Sequence, residues 1–266
     1  TECGGTLIVD WTYTDDCDRT ITAKKMITVE PAPMAEFDEV ENMIISCDEA
    51  GSFTASSLGY SNGAENEACL IAGSVDGELS GEYTECGGTL TVNWTYTDDC
   101  DRTIEASQTI TVEPAPMAEF DEVEDMTISC EEAGSFTASS LGYSNGASNE
   151  ACLISGSVEG ELSGSYTECG GTLTVNWTYT DDCQRTIEAS QTITVEPAPM
   201  AAFDEVEDMT ISCDEAGLFV AGSLAYTNGA ENEACLISGS VEGELSGEYT
   251  ECGGTLTVNW TYTDDC

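Results

Sequence analysis

"TLTVNWTYTDDC", residues 89–100, sets Leu90, Val92, Trp94 and Tyr96 against Thr91, Asn93, Thr95 and Thr97. Strict alternation of this kind gives an extended chain one apolar face and one polar face, the mark of a half-buried β-strand. The same twelve letters return at 172–183 and 255–266, and a near copy, "TLIVDWTYTDDC", occupies 6–17. Cys3, Cys86, Cys169 and Cys252 fix the spacing at 83 residues, and the rest of the chain follows that period. The sequence is a tandem array whose copies share one fold and one role.

Fifty-two acidic residues against five basic ones leave a formal charge of −47. That charge repels phosphate backbones and anionic membranes, so neither nucleic acid nor membrane insertion is expected. The acids are interleaved with Val, Ile, Thr, Tyr and Trp in period-2 runs, which bury enough apolar surface to fold rather than form a solvated tail. No apolar run reaches the roughly 18 residues of a membrane span. Histidine is absent and Lys24 and Lys25 are the only lysines, which excludes His-dependent triads, His-containing metal sites and any lysine chemistry common to every repeat. An enzyme is not expected. Fourteen cysteines with no CxxC pair point to a disulfide framework and therefore to secretion.

Proline occurs only in "EPAP", at Pro31 and Pro33, Pro114 and Pro116, and Pro197 and Pro199. These pairs punctuate the array into complete repeats at 31–113 and 114–196, flanked by the C-terminal part of a repeat at 1–30 and by a repeat at 197–266 that lacks its last strand. The array is expected to continue in both directions with the same period. Within the first complete repeat, "MIISC" (43–47) and "SFTASSLG" (52–59) read as strands joined at "DEAG", and "YSNGAENEA" follows as a polar loop. "CLIAGSVDGELSGEYTE" (69–85) reads as a strand whose glycines predict bulges or a tight turn at Asp76-Gly77. After the 89–97 strand, "TIEASQTITV" (103–112) alternates again. No segment keeps a helical period, so the expected fold is all-β, an array of immunoglobulin-like sandwiches with five to seven strands each and with Trp94 and Tyr96 in the core. A core this small benefits from disulfides.

"ISC", "NEAC" and "ECGGTLTVNWTYTDDCDRTIEASQTITV" together resemble the four-cysteine variant of the HYR-like immunoglobulin-fold repeats, and the resemblance covers every repeat. Such repeats occur in very long surface proteins and adhesins of gliding and related Gram-negative bacteria, often exported by type IX secretion. The chain departs from the usual "CGN" turn, having "CDR" at Cys100–Arg102. The resemblance implies a long hairpin of 69–85 with 89–100, and with it the pairs Cys69–Cys100 and Cys47–Cys86, repeated as Cys152–Cys183 with Cys130–Cys169 and as Cys235–Cys266 with Cys213–Cys252. A turn at Asp76-Gly77 would favour Cys47–Cys100 with Cys69–Cys86 instead. Cys86–Cys100 is ruled out separately, because a strand extended at about 3.3 Å per residue holds those residues far beyond the roughly 6 Å of a disulfide.

Two further site types follow from residue chemistry. Asp98, Asp99 and Asp101, and Glu119, Asp121 and Asp125, offer oxygens to calcium, although neither group has EF-hand spacing and Arg102 can neutralise the first. "NWT" places a glycosylation sequon at Asn93, Asn176 and Asn259 on the polar strand face. The expected function is structural: an extracellular rod or filament, the stalk of a bacterial surface adhesin or fibre, whose partners are neighbouring copies of the same repeat. The rival reading is a multivalent adhesin binding glycans or cell surfaces, with calcium dependence, through Tyr60 and Asn62 of the "YSNGAENEA" loop.

Overall fold

Trp94 decides how the strand of residues 87–97 is used. Its ring is 1% exposed, and its Nε1–H donates to the carbonyl of Ser56 at 2.9 Å, so the apolar face seen in the sequence is turned inward against a second layer. The computed structural model describes all 266 residues. By contact density they form two units, one of Thr1–Ala118 with Ser144–Ser155 and Asp181–Arg185, the other of Glu119–Tyr143 with Gly156–Thr180 and Thr186–Cys266.

The first unit begins with a hairpin, β1 (Gly5–Thr14) and β2 (Thr20–Val29), exposed on both faces. A complete sandwich follows: β3 (Glu36–Phe37), β4 (Met43–Ile45), α1 (Cys47–Ala50), β5 (Ser57–Ser61), β6 (Ala72–Asp76), β7 (Glu78–Thr84), β8 (Gly87–Thr97) and β9 (Thr103–Val112). One sheet has the order β3-β5-β6 and the other β4-β9-β8-β7, with β4 parallel to β9 and the remaining neighbours antiparallel. Leu90, Val92, Trp94, Ile110 and Val112 face Phe37, Leu58 and Val75 across the core. The expected all-β sandwich is present, and it has seven strands.

Residues 69–85 are where the sequence reading departs from the fold. They form neither one long strand nor a tight turn: the chain leaves the first sheet after β6 and enters the second at β7, crossing at Gly77. A Cβ at Gly77 would collide with Val92 Cγ1 and Trp94 Nε1, so the crossing needs a glycine over the core tryptophan. The "DEAG" link is a one-turn helix rather than a simple turn. Ser46 accepts the Glu49 amide while the Glu49 carboxylate takes the Ser46 amide, a capping box that closes α1. Of "SFTASSLG", only the last residues enter a strand.

The second unit repeats the plan. Its elements are β10 (Glu119–Phe120), β11 (Met126–Ile128), α2 (Cys130–Ala133), β12 (Ser140–Ser144), β13 (Ser155–Glu159), β14 (Glu161–Thr167), β15 (Gly170–Thr180) and β16 (Thr186–Val195). Their sheets run β10-β12-β13 and β11-β16-β15-β14. Then come β17 (Ala202–Phe203), α3 (Cys213–Ala216), β18 (Ser223–Thr227), a 3₁₀ turn at Glu233–Cys235, β19 (Ser238–Glu242), β20 (Glu244–Thr250) and β21 (Gly253–Asn259).

Candidate functional site: cystines that join one repeat to the next

β8 carries a cysteine just beyond each end, Cys86 and Cys100, and neither pairs within its own repeat. Cys100 bonds Cys3, and Cys86 bonds Cys183; Cys47 bonds Cys152. In the second unit Cys130 bonds Cys235 and Cys169 bonds Cys266. The separations are 97 or 105 residues, so against a period of 83 every cystine links one repeat to its neighbour.

The expected within-repeat pairs Cys69–Cys100 and Cys47–Cys86, with their copies, are therefore corrected. The long hairpin that suggested them does not exist, because the chain changes sheets at Gly77. The Cys47 sulfur lies 3.4 Å from the carbonyl of Thr84, beside the hairpin tip that carries Cys86, without bonding Cys86. Cys86 and Cys100 are not bonded to each other, as the extended strand requires. Cys69, Cys213 and Cys252, expected in cystines, are free thiols, as is Cys17.

The two kinds of cystine sit in different surroundings. Cys47 and Cys152 are buried in the sandwich core, and the loop that brings Cys152 there is held by polar contacts. Asp48 Oδ1 accepts the amides of Ser148 and Asn149, each at 3.1 Å. Asn149 Nδ2 reaches the Cys47 carbonyl at 3.0 Å and the Tyr83 hydroxyl at 3.1 Å. Asn232 repeats these contacts on Cys130 and Tyr166 in the second unit, with Glu131 in place of Asp48. The Cys86–Cys183 bond lies on turns at the surface.

The proline linker is fixed in place as well. Ala115 is buried; its amide donates to the Glu85 carbonyl at 2.8 Å, and its carbonyl accepts Arg185 Nη1 at 2.6 Å. Ala32 is held the same way between Glu2 and Arg102. Each arginine is aimed by an aspartate four residues earlier, Arg102 Nε to Asp98 Oδ2 at 2.7 Å and Arg185 Nε to Asp181 Oδ2 at 2.7 Å. Burial pushes the Asp98 carboxyl up, but the Arg102 amide, its guanidinium and the Cys100 amide together outweigh that and hold it below the usual carboxylate range.

The remaining expected site residues are distributed as follows. Asp98 is engaged with Arg102, while Asp99 and Asp101 face solvent. Glu119 lies on β10, Asp121 packs over Gly142, and Asp125 accepts the Thr192 amide at 2.8 Å. No group of three or more Asp, Glu or Cys side chains is placed to hold a metal ion. Asn93, Asn176 and Asn259 all lie on exposed strand faces. Of the loop residues considered for ligand binding, Tyr60 stacks on Tyr96 at 3.9 Å, and the Asn62 side chain spans Pro33, Cys69 and Ile71. Burial, then the Tyr60 hydroxyl, pushes Tyr96 up to about 12. Sequence reasoning missed Asn149 and Ala115, whose partners lie 102 residues and 70 residues away along the chain.

These features define a class: a tandem array of β-sandwich repeats cross-linked through their junctions. No protein-family model matches the chain, and no curated protein does. Among solved structures, mouse protocadherin-24 EC1-3 is similar at 10% identity over 74% of this chain and 81% of that one, with a TM-score of 0.28. A Ca2+-stabilized adhesin that helps an Antarctic bacterium reach out and bind ice is similar at 12% identity over 95% of this chain and 80% of that one, with a TM-score of 0.19. Likeness at these scores carries no argument, and the fold rests on the sheet topology given above.

Proposed function

We propose that the chain is part of an extracellular structural array, the stalk of a surface adhesin or the body of a fibre, built from 83-residue repeats that meet at the proline pairs. The observation that carries this reading is that all the cystines join adjacent repeats. A string of independent binding modules needs only flexible connections to gain avidity, whereas two cystines and a clamped linker at one junction serve to fix it. The abundance of cystines and the absence of histidine and of repeated lysine support secretion and a non-enzymatic role. Tyr60 and Asn62 are occupied inside the fold, which weighs against the loop as a ligand site.

Electron microscopy of native material, with peptide mapping under non-reducing conditions, tests the reading. Long unbranched particles and peptides linking Cys47 to Cys152 and Cys86 to Cys183 are the expected result. Compact particles, or cystines confined to single repeats, would refute it.

A further inference from the structure

We infer that tension along the array is carried by a covalent path that uses only the β8-type strand of each repeat and bypasses the rest of the fold. The inference rests on the structural reading above and adds the route that force takes. Entering a repeat at Cys100 through the Cys3–Cys100 bond, the shortest covalent route runs backward along β8 to Cys86, and leaves through Cys86–Cys183. From Cys183 it runs backward along β15 to Cys169 and leaves again through Cys169–Cys266. Each repeat of 83 residues is crossed in the fifteen from Cys86 to Cys100, which are extended already over Gly87–Thr97.

The strand is built for that task. β8 lies inside its sheet, paired with β9 on one edge and β7 on the other, so a pull on the cysteines at its two ends meets a strand that its neighbours already hold extended. Trp94 anchors its middle through Ser56. The other cystine series, Cys47–Cys152 and Cys130–Cys235, gives a longer route, with 22 residues from Cys130 to Cys152, and stays slack while the first is intact. The tension path coincides with the twelve letters that recur unchanged at 89–100, 172–183 and 255–266.

Single-molecule stretching of the full chain, held by tags at its two ends, tests the inference. In the oxidised chain the route from Thr1 to Cys266 runs through thirty peptide bonds and three cystines. At about 3.5 Å per residue its limiting length is about 120 Å, against about 900 Å after full reduction. Cys86→Ser opens the route, and the next shortest one, through Cys47–Cys152 and Cys169–Cys266, raises the limit to about 230 Å. Cys47→Ser removes a cystine from the same junction and leaves the limit near that of the parent.

An oxidised chain that stretches well past the short limit, or a Cys47→Ser chain that lengthens as much as Cys86→Ser, overturns the inference. Native filaments whose chain proves extensible would sink the covalent path alone. An inextensible chain found in compact native particles would sink only the filament reading.

Discussion

Asn149 donates from its side-chain amide to the carbonyl oxygen of Cys47, 102 residues before it, at 3.0 Å. The amide stands over Gly51, where a Cβ would come within 2.8 Å of Nδ2, so a glycine at the end of the one-turn helix makes room for a residue of the next repeat. Asn149→Ala leaves the Cys47 carbonyl and the Tyr83 hydroxyl without this donor. The expected cost is about 1–3 kcal/mol, read from urea denaturation of the oxidised protein, and Asn149→Asp should cost at least as much. An unchanged midpoint would mean that the cystine alone seats the loop.

The two cystine series should differ in their response to reductant. Cys47, Cys152, Cys130 and Cys235 are buried, whereas Cys86 and Cys169 are exposed. A brief, mild reduction of the folded protein followed by alkylation should label Cys86, Cys169 and their partners first, because thiol–disulfide exchange needs access to sulfur. Labelling of Cys47 and Cys152 at an equal rate would show that the core opens as readily as the surface turns.

Asp101 and Gln184 have φ of 57° and 62°, in the left-handed region that favours glycine. In the first of these the position follows the cysteine of the "CDR" turn. Aspartate tolerates this conformation better than glutamine. Gln184→Gly is therefore expected to stabilise the protein by about 1 kcal/mol, and Asp101→Gly by less. Thermal unfolding of the two variants side by side measures the difference, and a loss of stability in Gln184→Gly would show that its side chain makes a contact worth more than the strain.

Acidification acts through the aspartates that aim the linker arginines. The folded-state pKa of Asp98 is depressed, as is that of Asp181. Their contribution is present above the ordinary aspartate pKa of about 3.9 and is lost as pH falls through the lower folded value. Asp98→Asn should destabilise the protein at neutral pH and flatten its stability profile below about pH 4. Parallel profiles for parent and variant in that range would remove Asp98 from the account. Acid also discharges the general excess of carboxylates, so the comparison is between the two curves rather than within either one.

A formal charge of −47 should make stability depend on salt. With a Debye length of about 8 Å at 0.15 M ionic strength and about 30 Å at 0.01 M, the melting temperature is expected to rise with sodium chloride across that interval. Calcium at equal ionic strength should add little, since Asp98 and Asp125 are already engaged by protein donors. A rise confined to calcium and reversed by EDTA would establish a cation site.

Much of the fold was legible because period-2 alternation is a local signal: Leu90, Val92 and Trp94 announce a buried face whatever surrounds them. The capping box of Ser46 and Glu49 was equally local, in the letters "SCDE", and could have been read. The cystine partners could not. In a sequence with a period of 83, Cys69 and Cys152 have the same neighbours, so no local feature distinguishes a bond inside one repeat from a bond to the next. What separates them is the change of sheet at Gly77, which shows only in three dimensions. The clamp on Ala115 was hidden for the same reason, since it depends on Arg185 arriving from 70 residues further along.

Pairing across the repeat boundary also imposes an order on biogenesis. Cys47 finds its partner 105 residues later, so a repeat emerging from synthesis or export cannot mature alone and must wait, thiols open, for its successor. Meanwhile Cys69 of the same repeat stands only 22 residues from Cys47, a far more accessible but incorrect mate for a growing chain. Oxidation that outruns folding would trap that short loop. The array is therefore expected to close in sequence behind its growing end, each newcomer sealing the repeat before it, under conditions where mispaired cysteines can be reshuffled.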